Sequence, residues 1–300
     1  MASGQPDHPV TSSGGSQYSD LTAQQAADRL LGRHRLIFGA SLTAVLVLLV
    51  ACMAWAGPHG EHPEALVVFA IVYLAIITLS LFLNTRNYNG FVGILSADFD
   101  PQKALDALSI IMEKRKGKRR EQGAYALLYA QCSQQLGYDD VALQWVEHAE
   151  RDLKLRTLNR ILACNVRANT ARHRGDYEEL ARIRGHVAAL SKTSRRAAAA
   201  SVQILAWIDF DLALHAGDWA RCNEAIGAMR ATASTPLQEL AYDSNAARLA
   251  EAQGDLALAR ELFISLAARG GGSRIARDAA AWIEAHPAEP GDSGSEAPQP

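Results

Sequence analysis

The chain has 300 residues, of which 49% are hydrophobic and 21% charged, and its formal net charge at pH 7 is −2. That length holds one substantial domain beside a membrane segment, and the balanced charge removes the basic excess expected of a general nucleic-acid binder. Arginine outnumbers lysine about four to one and alanine is abundant, a composition that points to a GC-rich, bacterial genome. The cysteines are Cys52, Cys132, Cys164 and Cys222. None stands in a CxxC or other ligand spacing, so they read as small buried residues kept reduced.

Residues 1–20 are rich in Ser, Gly and Pro and poor in apolar residues, and are expected to form a disordered tail. A short juxtamembrane helix is predicted over 21–35. Thr22 and Gln25 fit a capping box, and Leu21, Ala27, Leu30 and Leu31 share a face. Two apolar segments follow, at 36–57 and 65–83, and neither contains an ionisable Asp, Glu, Lys, Arg or His. As helices they measure about 33 Å and about 28 Å, close to the roughly 30 Å core of a bilayer. The link from Pro58 to Glu64 allows only a tight hairpin, so residues 36–83 are predicted to be a two-span transmembrane anchor.

Arg29, Arg33 and Arg35 precede the first span and Arg86 follows the second, whereas the intervening link has no lysine or arginine. This asymmetry places both termini in the cytoplasm, with Trp55 at the outer interface, and gives a multi-pass inner-membrane protein. Leu49-Val50-Ala51-Cys52 matches a lipobox, and Ala54-Trp55-Ala56 a signal-peptidase site. A leading region of about 35 residues and a second span close behind argue against processing at either. The spans hold no charge and no helix breaker of the kind that lines a transport path. Gly39/Thr43 and Ala40/Ala44 have the spacing that lets helices pack closely. His59 and His62, with Glu61 and Glu64, have a metal-like spacing, but two prolines and a glycine make a turn the better reading.

Residues 84–100 are predicted to be a linker loosened by Gly90 and Gly93, with Phe91, Val92, Ile94 and Leu95 against the membrane surface. Asp100-Pro101 then opens a helix, with Asp as N-cap and Pro at its first position. From there to residue 286 the pattern is helical, without an alternating run long enough for a strand. Four points recur: Gly137-Tyr138-Asp139, Gly175-Asp176-Tyr177, Gly217-Asp218-Trp219 and Gly254-Asp255-Leu256, spaced 38, 42 and 37 residues apart. Each glycine is predicted to end one helix in the left-handed conformation, and the following aspartate to cap the next. Ala142, Cys222 and Ala259 come five after the glycine, with Ala181 one later in the second unit. Ala130, Ala168, Phe210 and Ala247 come seven before it. Val146, Ile226 and Phe263 are placed to fill the space between neighbouring pairs. Gly270-Gly271-Gly272 precedes a last helix, capped by Ser273, that suits a terminal cover. Residues 287–300 are again expected to be disordered.

The recurring Gly-Asp-Tyr with a small residue five after the glycine resembles the tetratricopeptide repeat, over about residues 119–270. The departures are a period longer than the family's 34 and the lack of its closing proline. The resemblance implies an all-α fold in which the transmembrane hairpin is followed by an α-solenoid of antiparallel helix pairs over 101–286. It also implies a groove for a protein or peptide partner, lined by the first helices. Counting back from each glycine assigns to that groove Gln131, Gln134, Asn165, Asn169, Arg172, Trp207, Asp211, Arg248 and Glu251.

The densest charge run is Lys114, Arg115, Lys116, Lys118, Arg119 and Arg120. Such a run attracts anionic headgroups by roughly 1 kcal/mol per basic residue near the surface. No stacking aromatics accompany it, which weighs against nucleic acid. The chain has no nucleophile elbow, P-loop, dinucleotide fingerprint or zinc motif. No enzyme, cofactor, metal or small-molecule substrate is therefore expected. The expected role is a membrane-anchored cytoplasmic scaffold that binds a protein partner. The alternative is a membrane-surface regulator that uses the basic run on anionic lipid or nucleic acid.

Overall fold

The structure, a computed structural model, describes residues 15–56, 64–115, 119–153 and 155–287. Among them the chain is all-helical, with twelve α-helices and no strand. The link that holds His59, Glu61 and His62 lies outside the described residues, as do Lys116, Lys118, residues 1–14 and residues 288–300.

Helices α1 (Ala23–Ala56) and α2 (Glu64–Ser96) have 34 and 33 residues. Each is about 50 Å long at 1.5 Å per residue, so each extends some 20 Å beyond a bilayer core. Most of the large apolar side chains from Leu36 to Met53 and from Leu66 to Leu83 face outward. The seam between the two helices is made on α1 by Ile37, Ser41, Val45, Leu48 and Cys52, the less exposed positions, spaced three or four apart. Gly39, Ala40, Thr43 and Ala44 face away from it, so the small-residue spacing does not pack this hairpin. Among the described residues three helices are long and apolar enough to cross a membrane: α1, α2 and α8 (Arg195–Ala216). In their most apolar stretches 6%, 0% and 44% of residues are buried within the protein.

The expected juxtamembrane helix and first span are one unbroken helix, capped by Thr22, whose Oγ1 accepts from the Gln25 backbone N–H at 3.2 Å. The expected linker is also helical through Ser96. Phe91, Ile94 and Leu95 are buried, against Ala26, Ala27, Leu30 and Leu31 of α1 and Ala104, Ala107, Leu108 and Ile111 of α3 (Pro101–Lys114), instead of lying on a membrane surface. Their spacing is helical, and burial outweighs the modest helix penalty of Gly90 and Gly93. Residues 15–20, expected in the disordered tail, form a strap across α2. Tyr18 is fully buried, and its hydroxyl donates to Asn87 Oδ1 at 3.1 Å. A Cβ on Gly93 would stand 2.9 Å from Ser16 Cβ, so the glycines admit the strap where they were expected to loosen a linker.

Beyond α3 the chain alternates between two sets of helices. The first set is α4 (Arg119–Gln135), α6 (Thr157–His173), α8, α10 (Pro236–Ala252) and α12 (Arg274–Ala285). The second is α5 (Asp139–Asp152), α7 (Tyr177–Ser191), α9 (Trp219–Thr232) and α11 (Leu256–Arg269), each packed on the helix before it. Gly137, Gly175, Gly217 and Gly254 have φ of 90°, 67°, 70° and 83° and end the preceding helices. Asp176, Asp218 and Asp255 cap α7, α9 and α11 through their carboxylates. Tyr138 is the N-cap of α5 and makes no side-chain cap, which leaves Asp139 free for longer-range contacts. The wide spacing before Gly217 is explained by α8, which has 22 residues against 17 in α4, α6 and α10.

The facing positions are closely packed. Ala130, Ala142, Phe210, Cys222, Ala247 and Ala259 are fully buried and Ala168 nearly so. The second unit departs from expectation: Leu180 takes the buried position five after Gly175, and Ala181 is exposed. Leu180 fits because α6 faces it with the small residues Cys164 and Ala168.

Members of the first set touch in order, and α12 returns to touch α4, closing a ring. An open end covered by its last helix was expected. The closure runs through Arg274, whose backbone N–H donates to Gln135 Oε1 at 3.2 Å and whose Nη1 meets Asp139 Oδ2 at 2.9 Å. Arg277 donates to the Gln135 carbonyl at 2.5 Å. The turn after α11 packs against Phe99, with the Gly272 N–H donating to the Phe99 carbonyl at 2.9 Å. A Cβ on Gly270 would lie 2.8 Å from Ala276 Cβ, so a bulkier residue would push this turn off its seat.

Candidate functional site

The five first-set helices enclose a recess of about 320 Å³. Helix periodicity places its lining: from each helix, residues three or four apart face the ring axis. Seven of the nine groove positions assigned from the sequence meet there: Gln134, Asn169, Arg172, Trp207, Asp211, Arg248 and Glu251. Gln131 and Asn165 lie one turn earlier on α4 and α6, half-buried and outside it. The structure adds residues that counting back from the glycines missed. Arg274, Asp278 and Trp282 come from α12, and His173 and Asn245 from α6 and α10. The signal for α12 was its own spacing: residues 274, 278 and 282 are successive turns of one face.

The polar groups form three linked sets. On one side, Gln134 Nε2 donates to the Val166 carbonyl at 2.9 Å and to Thr170 Oγ1 at 3.1 Å, and Asn169 Nδ2 donates to Gln134 Oε1 at 3.3 Å. On another, Arg248 Nη1 pairs with the buried Asp211 at 2.7 Å and donates to Asn245 Oδ1 at 3.1 Å, with its guanidinium 5.4 Å from the Phe210 ring centre. At the closure, Arg274 and His173 share Asp139, and Trp282 Nε1 donates to Glu251 Oε1 at 2.6 Å. Asp278, with a side chain 67% exposed and 3.7 Å from Arg274, marks the rim.

Arg172 is different. Its Nη2 donates to His173 Nε2 at 2.9 Å, and its Nε is buried without a partner among the described residues. Because a guanidinium can only donate, His173 Nε2 accepts and Nδ1–H points to Asp139, 3.2 Å away. The imidazole is thereby held neutral. Burial lowers its pKa most, then the charges of Arg172 and Arg274, against a smaller upward pull from Asp139, and the result is about 4. Burial also pushes the Arg172 pKa down, partly offset by the charge of Asp211. Trp207 Nε1 is a second buried donor without a partner.

The basic run is divided. Lys114 pairs with Asp28 of α1 at 2.6 Å, and Arg115 is buried with its guanidinium 5.9 Å from the Tyr125 ring centre. Arg119 and Arg120 begin α4. Two of the six basic residues thus join the domain to itself and to α1, and so offer less charge to a lipid or nucleic acid than the sequence suggested. Comparison of the chain with protein-family models, with curated proteins and with solved structures finds no match.

Proposed function

We propose that this protein is a membrane-anchored helical-repeat scaffold of the tetratricopeptide type, in which α1 and α2 span the bilayer and the ring beyond them binds a protein partner. The observation that carries this reading is the convergence of seven groove positions on one recess. The repeat assignment draws support from the four left-handed glycines at the predicted helix ends. The choice of two spans rests on burial: α8 is a ring helix with 44% of its apolar stretch covered by protein. The partner docks at the mouth of the recess, around Asp278 and Ser244. Ring closure by α12 favours a chain end or loop tip over a long peptide laid along an open groove.

The domain is held without a flexible joint, because α1 and α2 run from the apolar region into its core. A partner bound there is kept at a set height above the bilayer. Both termini are cytoplasmic in this reading, by the arginine asymmetry around the spans. Photocrosslinking from Ser244 in the intact protein in membranes tests the docking face. A single adduct, absent when the probe is moved to Glu224 on α9, is the expected result. An adduct from Glu224 and none from Ser244 would sink the recess as the docking face. Labelling of Gly60→Cys, and not Ser293→Cys, by an impermeant thiol reagent on intact cells is the expected topology result. The reverse pattern would move the ring to the other side of the membrane.

A further inference from the structure

Three arginines line the recess, and their partners differ. Arg248 is matched by Asp211 at 2.7 Å and Arg274 by Asp139 at 2.9 Å. Among the described residues Arg172 pairs with no carboxylate; its Nη2 donates to the neutral Nε2 of His173. Asp211 and Asp278 act on it through space only: Asp211 is engaged by Arg248, and Asp278 stands 3.7 Å from Arg274. On the neighbouring helix α8, Trp207 carries an indole N–H that is buried without an acceptor. Both orphaned atoms, Arg172 Nε and Trp207 Nε1, are donors, and both residues line the same cavity. Burying a donor without an acceptor is costly, and more so for a charged one. Two donors and an unmatched positive charge call for an acceptor with negative charge.

We propose that the floor of this recess is a binding site for a small organic carboxylate, held by Arg172 with the Trp207 indole N–H as second donor. The volume, about 320 Å³, lies at the small end of ligand pockets. Trp207, Phe263 and Trp282 also line the recess and add apolar surface for the body of such a molecule, the last two stacked on each other with ring centres 4.5 Å apart. The carboxylate places two acceptor oxygens against donors that are otherwise unpaired, and charge-assisted bonds of this kind are among the strong ones. Access is from the rim at Asp278, and small side-chain adjustments at Arg172 bring its Nε–H to the ligand. This site goes beyond the protein-partner reading, which concerns the mouth of the recess, and its test does not use the partner.

The experiment is titration of the full-length protein in nanodiscs, observed through the indole N–H signals of its tryptophans, with Trp207→Phe assigning one of them. Benzoate is the probe, and benzamide, of the same shape without the charge, is its control. Benzoate is expected to shift the Trp207 signal saturably, and benzamide to bind about tenfold more weakly or worse. Arg172→Met keeps the volume of the stem and removes the charge, and is expected to abolish the benzoate shift while leaving the other tryptophan signals in place. Should Arg172→Met fail to fold, Trp207→Phe with benzoate binding read by calorimetry takes its place, with weaker affinity expected. Equal affinity for benzamide, undiminished benzoate affinity in both variants, or no shift at millimolar benzoate would each overturn the proposal.

Discussion

Gly175 and Gly217 sit at φ 67° and 70°, where a Cβ is strained whatever space surrounds it. Gly185 and Gly227 lie inside α7 and α9, and a Cβ at either meets nothing within 4 Å. Replacement by alanine should therefore move stability in opposite directions. Gly175→Ala and Gly217→Ala each cost about 1–2 kcal/mol, and Gly185→Ala and Gly227→Ala each add up to about 1 kcal/mol. Thermal melts of the four variants check this contrast. His173 supplies a second residue-level prediction. Its folded pKa of about 4 lies below the ordinary 6.5, so the unfolded chain takes up a proton that the folded protein refuses. Stability from this group is complete above about pH 6.5 and is lost as the pH falls toward 4, by up to about 3 kcal/mol. His173→Gln should flatten that part of the stability–pH curve, as measured by denaturant unfolding at stepped pH. An unchanged slope would show that the neutral imidazole between Arg172 and Asp139 is misassigned.

At the scale of elements, the joint between hairpin and ring is built from α1, α2, α3 and the strap of residues 15–20. Tyr18 packs edge-on to Phe91 at 5.9 Å and bonds Asn87, whose Nδ2 donates to the Leu30 carbonyl at 3.2 Å. Lys103 closes the strap by donating to the Tyr18 and Ser19 carbonyls, each at 2.7 Å. Tyr18→Ala should cost about 3–5 kcal/mol in this joint, as for other buried aromatic truncations, and Tyr18→Phe only about 1 kcal/mol. Hydrogen exchange reads this directly: protection at residues 87–95 falls in Tyr18→Ala and is nearly kept in Tyr18→Phe. The starts of α1 after Thr22 and of α3 at Pro101 were legible in the sequence, whereas Gly90 and Gly93 make the helix through residues 84–96 read as a linker. The strap was not legible, because one tyrosine among polar residues gives no periodic signal, and its site exists only once Gly90 and Gly93 face it. The same limit hid Leu180, whose burial depends on the small residues that α6 sets opposite.

For the whole molecule, the main feature is closure of the ring by α12 on α4. Arg274 and Asp139 are mostly buried, with side chains 22% and 18% exposed, so their pair is worth more than a surface one. Arg274→Gln should cost roughly 1–3 kcal/mol and lower hydrogen-exchange protection in α12 more than in α8. Equal protection in both helices would mean that the closure carries no stability of its own.

Much of the architecture follows from the sequence alone, because its causes are local. Runs of apolar residues without charge mark α1 and α2, and glycine at a left-handed position followed by aspartate marks where helices end and begin. Counting back from those glycines to the groove positions that the tetratricopeptide resemblance implies named seven of the recess residues, and helix periodicity keeps them on one face. Only the tertiary structure decided that the helices close into a ring. Closure depends on contacts between residues 135–139 and 274–277, which are far apart in the chain and leave no periodic trace in it. It also decided which arginine in the recess lacks a carboxylate. Arg172, Arg248 and Arg274 are alike as letters, and their difference arises from which acidic residue the fold brings within reach of each.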